Sequence, residues 1–303
     1  MHKFNILCIK YFRGAPRTGG ELVTQIICDA LKESYHAKVI EMAYKRGIIN
    51  AAILAYPYII KRNYYTARAI KDGWDVYSGS RSGTFEYSQP PPGSGHPSIE
   101  NAYHTLTSFV DTASRLGRTN LKLVAYASKY ALYKHKIRGV RNSIVIYPPL
   151  PKSYENDLSE KDNIVVTLAR INPSKNLDLV GRLSDRINAK FVIIGFCDNS
   201  LEAAYLKRLR NRYPNLVIIP NAGEDVKQSL LRKAKILLHP AIGETFPISK
   251  VEGMSAGAIP VVHNEGGAKE GIPESLTFND IEGAAAIIKE NLIDYNAEKG
   301  KWM

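Results

Sequence analysis

The sequence predicts an α/β protein made of two facing, doubly wound, Rossmann-like domains. Strand-like and helix-like hydrophobic patterns alternate from one end of the 303-residue chain to the other, as expected of βα units around parallel sheets. Several strand patterns are unbroken apolar runs, among them FVIIG and KILLH, which suits parallel strands covered on both faces. The run YPPLP at 147–151 can continue neither a helix nor a central strand, and it falls where a chain of this length divides into two domains of about 150 residues. The expected organisation is an N-terminal domain at 1–150, a linker at 151–160, a C-terminal domain at 161–290 and a tail at 291–303.

Taken in order, the N-terminal half reads as strand 4–12, a Gly-rich turn, helix 21–34, strand 38–43, a helical region 48–71 and strand 75–78. A Gly/Ser/Pro-rich loop at 79–98 leads to helix 100–116, strand 121–127, helix 129–137 and strand 143–147. The second half restarts the rhythm. Its strands are expected at 163–169, 190–195, 215–219, 235–239 and 259–263, and its helices at 175–187, 200–212, 224–234, 248–256 and 281–292. In doubly wound sheets ligands bind beyond the carboxyl ends of the strands, so the cleft between two such domains is the expected site.

Composition narrows the setting. Hydrophobic residues make up 45% of the chain and charged residues 23%, ordinary for a globular protein. Three cysteines, Cys8, Cys28 and Cys197, make no disulfide framework and no close metal pair, which fits a reducing, cytoplasmic setting. No apolar run reaches the roughly 18 residues of a membrane span, and the N-terminus reads as a first strand, not a targeting segment. The net charge of +12 lies wholly in residues 1–150, where 21 Lys and Arg face 9 Asp and Glu. A one-sided basic field suits an anionic partner, such as an anionic membrane surface, a phosphorylated acceptor or nucleic acid; the plainer alternative is solubility. The stretch YKRGIINAAILAYPYIIKRNYY has an apolar centre at 47–60 flanked by Lys45, Arg46, Lys61 and Arg62. It suits a helix lying in a membrane interface, or else a core helix bent at Pro57.

The chemistry gathers at strand ends. In ETFPISKVE, Glu244 and Glu252 stand eight apart. Pro247 suits the first turn of a helix, which puts Glu244 on the loop before it and Glu252 inside it. Free backbone N–H groups near 245–249 attract an anion such as a diphosphate. Carboxylates beside an anion site make sense if each grips hydroxyl groups flanking it, the layout of a nucleotide sugar. The plainer alternatives are a helix cap for Glu244 and a solvated helix face for Glu252. After the strand NIVVTLAR, Arg170 and Lys175 sit five apart at a strand-to-helix turn and suit a clamp on two phosphates. In GAPRTGGE, Gly19 and Gly20 open a helix and allow close backbone approach; the turn is neither GxGxxG nor a P-loop.

Together LARINPSKNLDLV, ETFPISKVEGMSAGAIPVV, RTGGE, YASKYA and SIVIYPPL resemble glycosyltransferase family 4 and its relatives with the GT-B fold. The resemblance covers most of 1–20 and 121–275. VIYPPL, HPAIGETF and VVHNEGGAKEGI look closest to mannosyltransferases that extend dolichol-diphosphate-linked oligosaccharides on the cytosolic face of a membrane. The resemblance implies a retaining hexosyltransferase, mannose favoured, with no cofactor and no metal. Its donor would be a nucleotide diphosphate sugar (GDP-mannose favoured, a UDP-sugar as the alternative) and its acceptor a glycan or lipid-linked glycan. It further implies that Arg170 and Lys175 hold the diphosphate and that Glu252 binds the ribose. Glu244 contacts the donor sugar, and backbone around Thr245, Phe246, Pro247 and Ile248 contacts sugar and phosphate. Gly19 and Gly20 shape the cleft from the acceptor side. Pro247 stands where the family usually has Gly and removes one backbone donor. The family often uses a His near the sugar; His96 and His104 are candidates outside any recognisable motif. The competing readings are a nucleotide-sugar epimerase or hydrolase on the same fold, a basic nucleic-acid-binding protein, which lacks a recognised module here, and a degenerate, non-catalytic family member.

Overall fold

The computed structural model describes residues 5–10, 19–34, 36–41, 75–78, 124–135, 142–150, 154 and 161–295. The chain divides into two compact units, Met1–Pro151 and Lys152–Met303. The expected helices at 48–71 and 100–116, the apolar centre at 47–60, and His96 and His104 lie outside the described residues.

In the first unit, β1 (Asn5–Lys10) is the middle strand of a parallel three-stranded sheet, flanked by β2 (His36–Glu41) and β3 (Asp75–Ser78). Helix α1 (Gly19–Ser34) connects β1 to β2 and begins at the two glycines. Cys28 on α1 is fully buried and disulfide-bonded, while Cys197 is free. Strands β4 (Val124–Tyr126) and β5 (Ser143–Val145) pair in parallel around α2 (Lys129–His135). Ser128 caps α2: its Oγ accepts from the Ala131 N–H at 2.9 Å, satisfying a donor that the first helical turn leaves free.

The second unit is a six-stranded parallel sheet. Its strands are β6 (Asp162–Leu168), β7 (Lys190–Gly195), β8 (Leu216–Pro220), β9 (Ala234–His239), β10 (Ile259–His263) and β11 (Thr277–Phe278). Their spatial order is β11-β10-β9-β6-β7-β8. The winding therefore reverses between β6 and β9, and the crevice beyond the carboxyl ends of those two strands is where a doubly wound sheet takes its ligand. The connecting helices are α3 (Leu177–Ser184), α4 (Ser200–Arg212), α5 (Glu224–Lys233), α6 (Ile248–Ser255) and α7 (Ile281–Ile293). The predicted strands match to within a residue or two. β11 was not anticipated; two residues are too few for a periodic signal.

The two-residue alternation of the strands sorts the core into two layers. Val165, Ile193, Ile236, Leu238 and Val261 pack on one face with α3, α4 and α7. Ile164, Val166, Val192, Ile194 and Leu237 pack on the other, with Leu231 of α5 and with Ala256 and Ala258 beyond α6. Helix α6 lies close on β9 because Gly253 faces Leu237: a Cβ at 253 would stand 2.8 Å from the leucine side chain. The helix predicted at 175–187 is broken. A 3₁₀ turn at Pro173–Lys175 comes first, Asn176 adopts the left-handed region at φ 52°, and α3 starts at Leu177. Asn tolerates that conformation better than most residues, and its Nδ2 donates to the Pro240 carbonyl at 3.2 Å. This kink ties the loop after β6 to the loop after β9. Among the described residues no helix is long and apolar enough to cross a membrane.

Candidate functional site

The loops leaving β6 and β9 meet at the reversal point. Lys175, at the end of the 3₁₀ turn, places Nζ 2.9 Å from Glu244 Oε1. His239, the last residue of β9, places Nε2 3.0 Å from Glu244 Oε2. All three residues are buried. Burial by itself opposes the ionised carboxylate, but the Lys175 charge and then the His239 contact overcome it and hold the Glu244 carboxyl far below its ordinary range. Glu244 is thus neither a helix cap nor solvent-facing; it is an ionised carboxylate in a desolvated pocket.

The backbone at Glu244 is fixed from a second side by the glycine loop after β10. Gly243 N–H donates to the Glu265 carbonyl at 3.0 Å and Gly267 N–H to the Glu244 carbonyl at 2.7 Å, and Glu244 and Gly266 form a parallel bridge. Gly266 has φ 116°, and a Cβ there would lie 2.8 Å from the Glu244 carbonyl oxygen. Only glycine fits that close approach without strain.

Pro247 immediately precedes α6 and acts as its N-cap residue rather than its first helical residue. Thr245 and Ile248 are half-buried, and Phe246 is buried. One and a half turns along, Glu252 is partly buried, and its Oε1 receives the Tyr154 hydroxyl and the Lys227 ammonium, each at 2.9 Å. Lys227 also pairs with Glu224 at 2.9 Å. Burial and then the Glu252 charge push the Tyr154 phenol well above its ordinary value. Burial works against the charge on Lys227, yet Glu252, Tyr154 and Glu224 hold that ammonium above its ordinary value.

Arg170 and Lys175, read from sequence as one clamp, take different partners. Arg170 Nη1 binds Glu202 Oε1 at 2.9 Å, and Nη2 lies 3.6 Å from Asp198. Glu202, in the first turn of α4, also accepts the Asp198 N–H at 2.7 Å. Gly19 and Gly20 belong to the other unit, at the start of α1. Beyond β8, Asn221 adopts φ 53° and clasps the loop after β7. Its Oδ1 accepts from Cys197 N–H at 2.9 Å and its Nδ2 donates to the Cys197 carbonyl at 3.0 Å.

Sequence reasoning missed His239, Lys227, Tyr154 and Lys250. Lys250 was visible as a lysine interrupting the apolar spacing of ETFPISKVE, yet it is fully buried. His239 was visible as the one polar residue closing KILLH. Nothing local marked Tyr154 or Lys227.

Residues 152–296 match the family model described as Glycosyl transferases group 1. The matched segment lies within the second unit. It contains all of the described sheet that carries Arg170, Lys175, Glu244 and Glu252. Over 152 residues the chain is 27% identical to GDP-Man:Man(3)GlcNAc(2)-PP-Dol alpha-1,2-mannosyltransferase of Dictyostelium discoideum, a match covering 42% of this chain and 30% of that protein. It is 23% identical over 178 residues to glycogen synthase of Clostridium kluyveri, covering 54% of this chain and 37% of that one. The chain thus spans well under half the length of these curated relatives. Among solved structures it is similar to sucrose-phosphate synthase from Thermosynechococcus elongatus, with a TM-score of 0.70 at 13% identity, covering 99% of this chain and 93% of that one. The fold is GT-B, with Rossmann-like parallel sheets, as the sequence predicted.

Proposed function

We propose that this protein is a retaining, metal-independent glycosyltransferase that moves a hexose, mannose favoured, from a nucleotide diphosphate sugar to a glycan or lipid-linked acceptor. The observation that carries the reading is the buried Lys175–Glu244 pair, 2.9 Å apart, at the reversal point of the group 1 domain. It puts a cation suited to phosphate beside a carboxylate suited to sugar hydroxyls. In this reading Lys175 stabilises the charge that develops on the departing diphosphate, and Arg170 assists once it leaves Glu202. Glu244 orients the sugar, and Glu252, presented by Tyr154 and Lys227, takes the ribose hydroxyls. Backbone at Thr245–Ile248 contacts sugar and phosphate, and Gly19 and Gly20 serve the acceptor side.

Mannose and a GDP donor are favoured by the motifs shared with the mannosyltransferases and by the Dictyostelium relative. The glycogen synthase match supports a glucosyl donor as the alternative. The proposed setting is cytoplasmic, peripheral on the cytosolic face of a membrane, with the basic N-terminal half toward anionic lipid. Calorimetric titration of GDP, UDP and ADP without added metal, beside Lys175→Ala, tests the reading. One nucleotide binds and the variant loses it; transfer assays with the matching sugar, in EDTA, then give a product with the donor's anomeric configuration. Binding of no nucleotide overturns the proposal.

A further inference from the structure

Lys250 is fully buried and is among the largest fully buried side chains of the described structure, beside Phe191 and Phe278. Its Nζ donates to the Glu270 carbonyl at 2.7 Å and the Ala268 carbonyl at 3.1 Å, and it stands 4.6 Å from the centre of the Phe246 ring. A buried ammonium answered by neutral partners costs stability, and burial pulls this one down to about 8 against the opposing charge of Glu270. A methionine would fill similar space without that cost. The lysine is therefore poorly explained as a packing residue.

Its contacts lead to the site. The carbonyls it holds belong to the strap that continues the glycine loop, and that loop is bonded to the backbone at Gly243 and Glu244 through Gly243–Glu265, Gly267–Glu244 and the Glu244–Gly266 bridge. Phe246, under the ammonium, is two residues from Glu244. One side chain thus fastens both the strap behind Glu244 and the turn in front of it to the same turn of α6. We propose that Lys250 is a positioning residue that fixes the backbone from which Glu244 meets the donor sugar. The part concerning the donor rests on the glycosyl-transfer reading above.

The test uses the full chain carrying Lys250→Met. The expected result in the absence of ligand is amide exchange at Gly243 and Gly267 faster by about tenfold or more, with β6 and β7 unaltered, because a local tie is lost while the core stands. Melting temperature stays level or rises. In the transfer assay kcat falls by about 10- to 100-fold, as for a small misplacement of a reacting group. The nucleoside diphosphate dissociation constant changes by less than about threefold, since that ligand carries no sugar to misplace. Unaltered exchange at Gly243 and Gly267 overturns the proposal. So does a fall in melting temperature with nucleotide binding and kcat lost together, which marks a purely structural lysine. If wild-type protein transfers no sugar at all, the glycosyl-transfer reading fails, while the exchange measurement still decides the tie. Should Lys250→Met not fold, Lys250→Gln, which keeps an amide donor, is read in the same assays.

Discussion

Removing the cation from the Lys175–Glu244 pair should unmask a buried carboxylate, and the cost follows from its surroundings. Both residues are only 7% exposed, so solvent does little to screen them. In Lys175→Met, Glu244 either stays ionised without its main counter-charge or escapes by taking up a proton. Escape at pH 7, from an ordinary value of 4.5, costs about 1.4 kcal/mol per pH unit, hence about 3 kcal/mol. That agrees with the roughly 3–5 kcal/mol typical of a broken buried ion pair. At about 2–4 °C per kcal/mol for a unit of this size, the melting transition of the C-terminal unit should drop by about 6–12 °C. The sign with pH is diagnostic. In the wild type the depressed Glu244 carboxyl contributes stability that is present above its ordinary value and is lost as pH falls through the folded value. In the variant the carboxyl is pushed up, so its destabilisation grows as pH rises above 4.5. The gap between the two proteins must therefore narrow from pH 7 to pH 5. Adding Glu244→Gln to Lys175→Met should restore most of the melting temperature at pH 7 but not nucleotide binding. Scanning calorimetry at both pH values checks this. A gap independent of pH, or a double variant as unstable as the single one, would refute the argument that Lys175 answers a buried charge.

Two further outcomes are expected. Glu252→Ala weakens nucleotide binding by about 10- to 100-fold, the range for a lost charged hydrogen bond, while Glu244→Ala leaves nucleotide affinity nearly unaltered and mainly lowers kcat; calorimetry and initial rates separate the two, and equal small effects would count against the assigned roles. The basic N-terminal half should carry the protein upward with anionic liposomes at low salt, and less so as salt rises; no flotation on any lipid would remove the membrane proposal.

The sheet was legible because its strands are buried on both faces. NIVVTLAR, FVIIG, KILLH and IPVVH need no partner to be recognised; the caps Asn199 and Asp280, whose side chains accept from Glu202 and Gly283, emerge only from the structure. The order of the strands was not legible, since nothing in IPVVH says that it lies beside KILLH. For the same reason Glu244 and Glu252 could be picked out as a pair while their partners could not. Lys175 lies 69 positions before Glu244, and Tyr154 lies 98 before Glu252. Only the reversal of winding between β6 and β9 brings Lys175 and Glu244 to 2.9 Å. The broken start of α3 had a local cause, Pro173 followed by Asn176, but the Asn176 bond to Pro240 that gives the kink its use comes from another strand.

The carboxyl end of this sheet is stabilised less than it could be, and the deficit is concentrated where the ligand is proposed to bind. Lys250 shows it most directly. Its folded value of about 8, against an ordinary 10.5, means that below pH 8 the burial of its charge costs on the order of 3 kcal/mol, with no solvent screening to discount at full burial. The cost disappears as pH rises from about 8 to 10.5, where the unfolded chain would hold the proton more tightly than the folded one. Glu244 has the opposite balance: its charge is answered by Lys175, and the pair together holds two groups out of water. A fold that keeps an ion pair at its reversal point, with the Lys250 ammonium tied to the Ala268 and Glu270 carbonyls, holds fixed charges ready to meet an incoming ligand without reorganisation, which is the condition under which electrostatic stabilisation of a transition state is most effective.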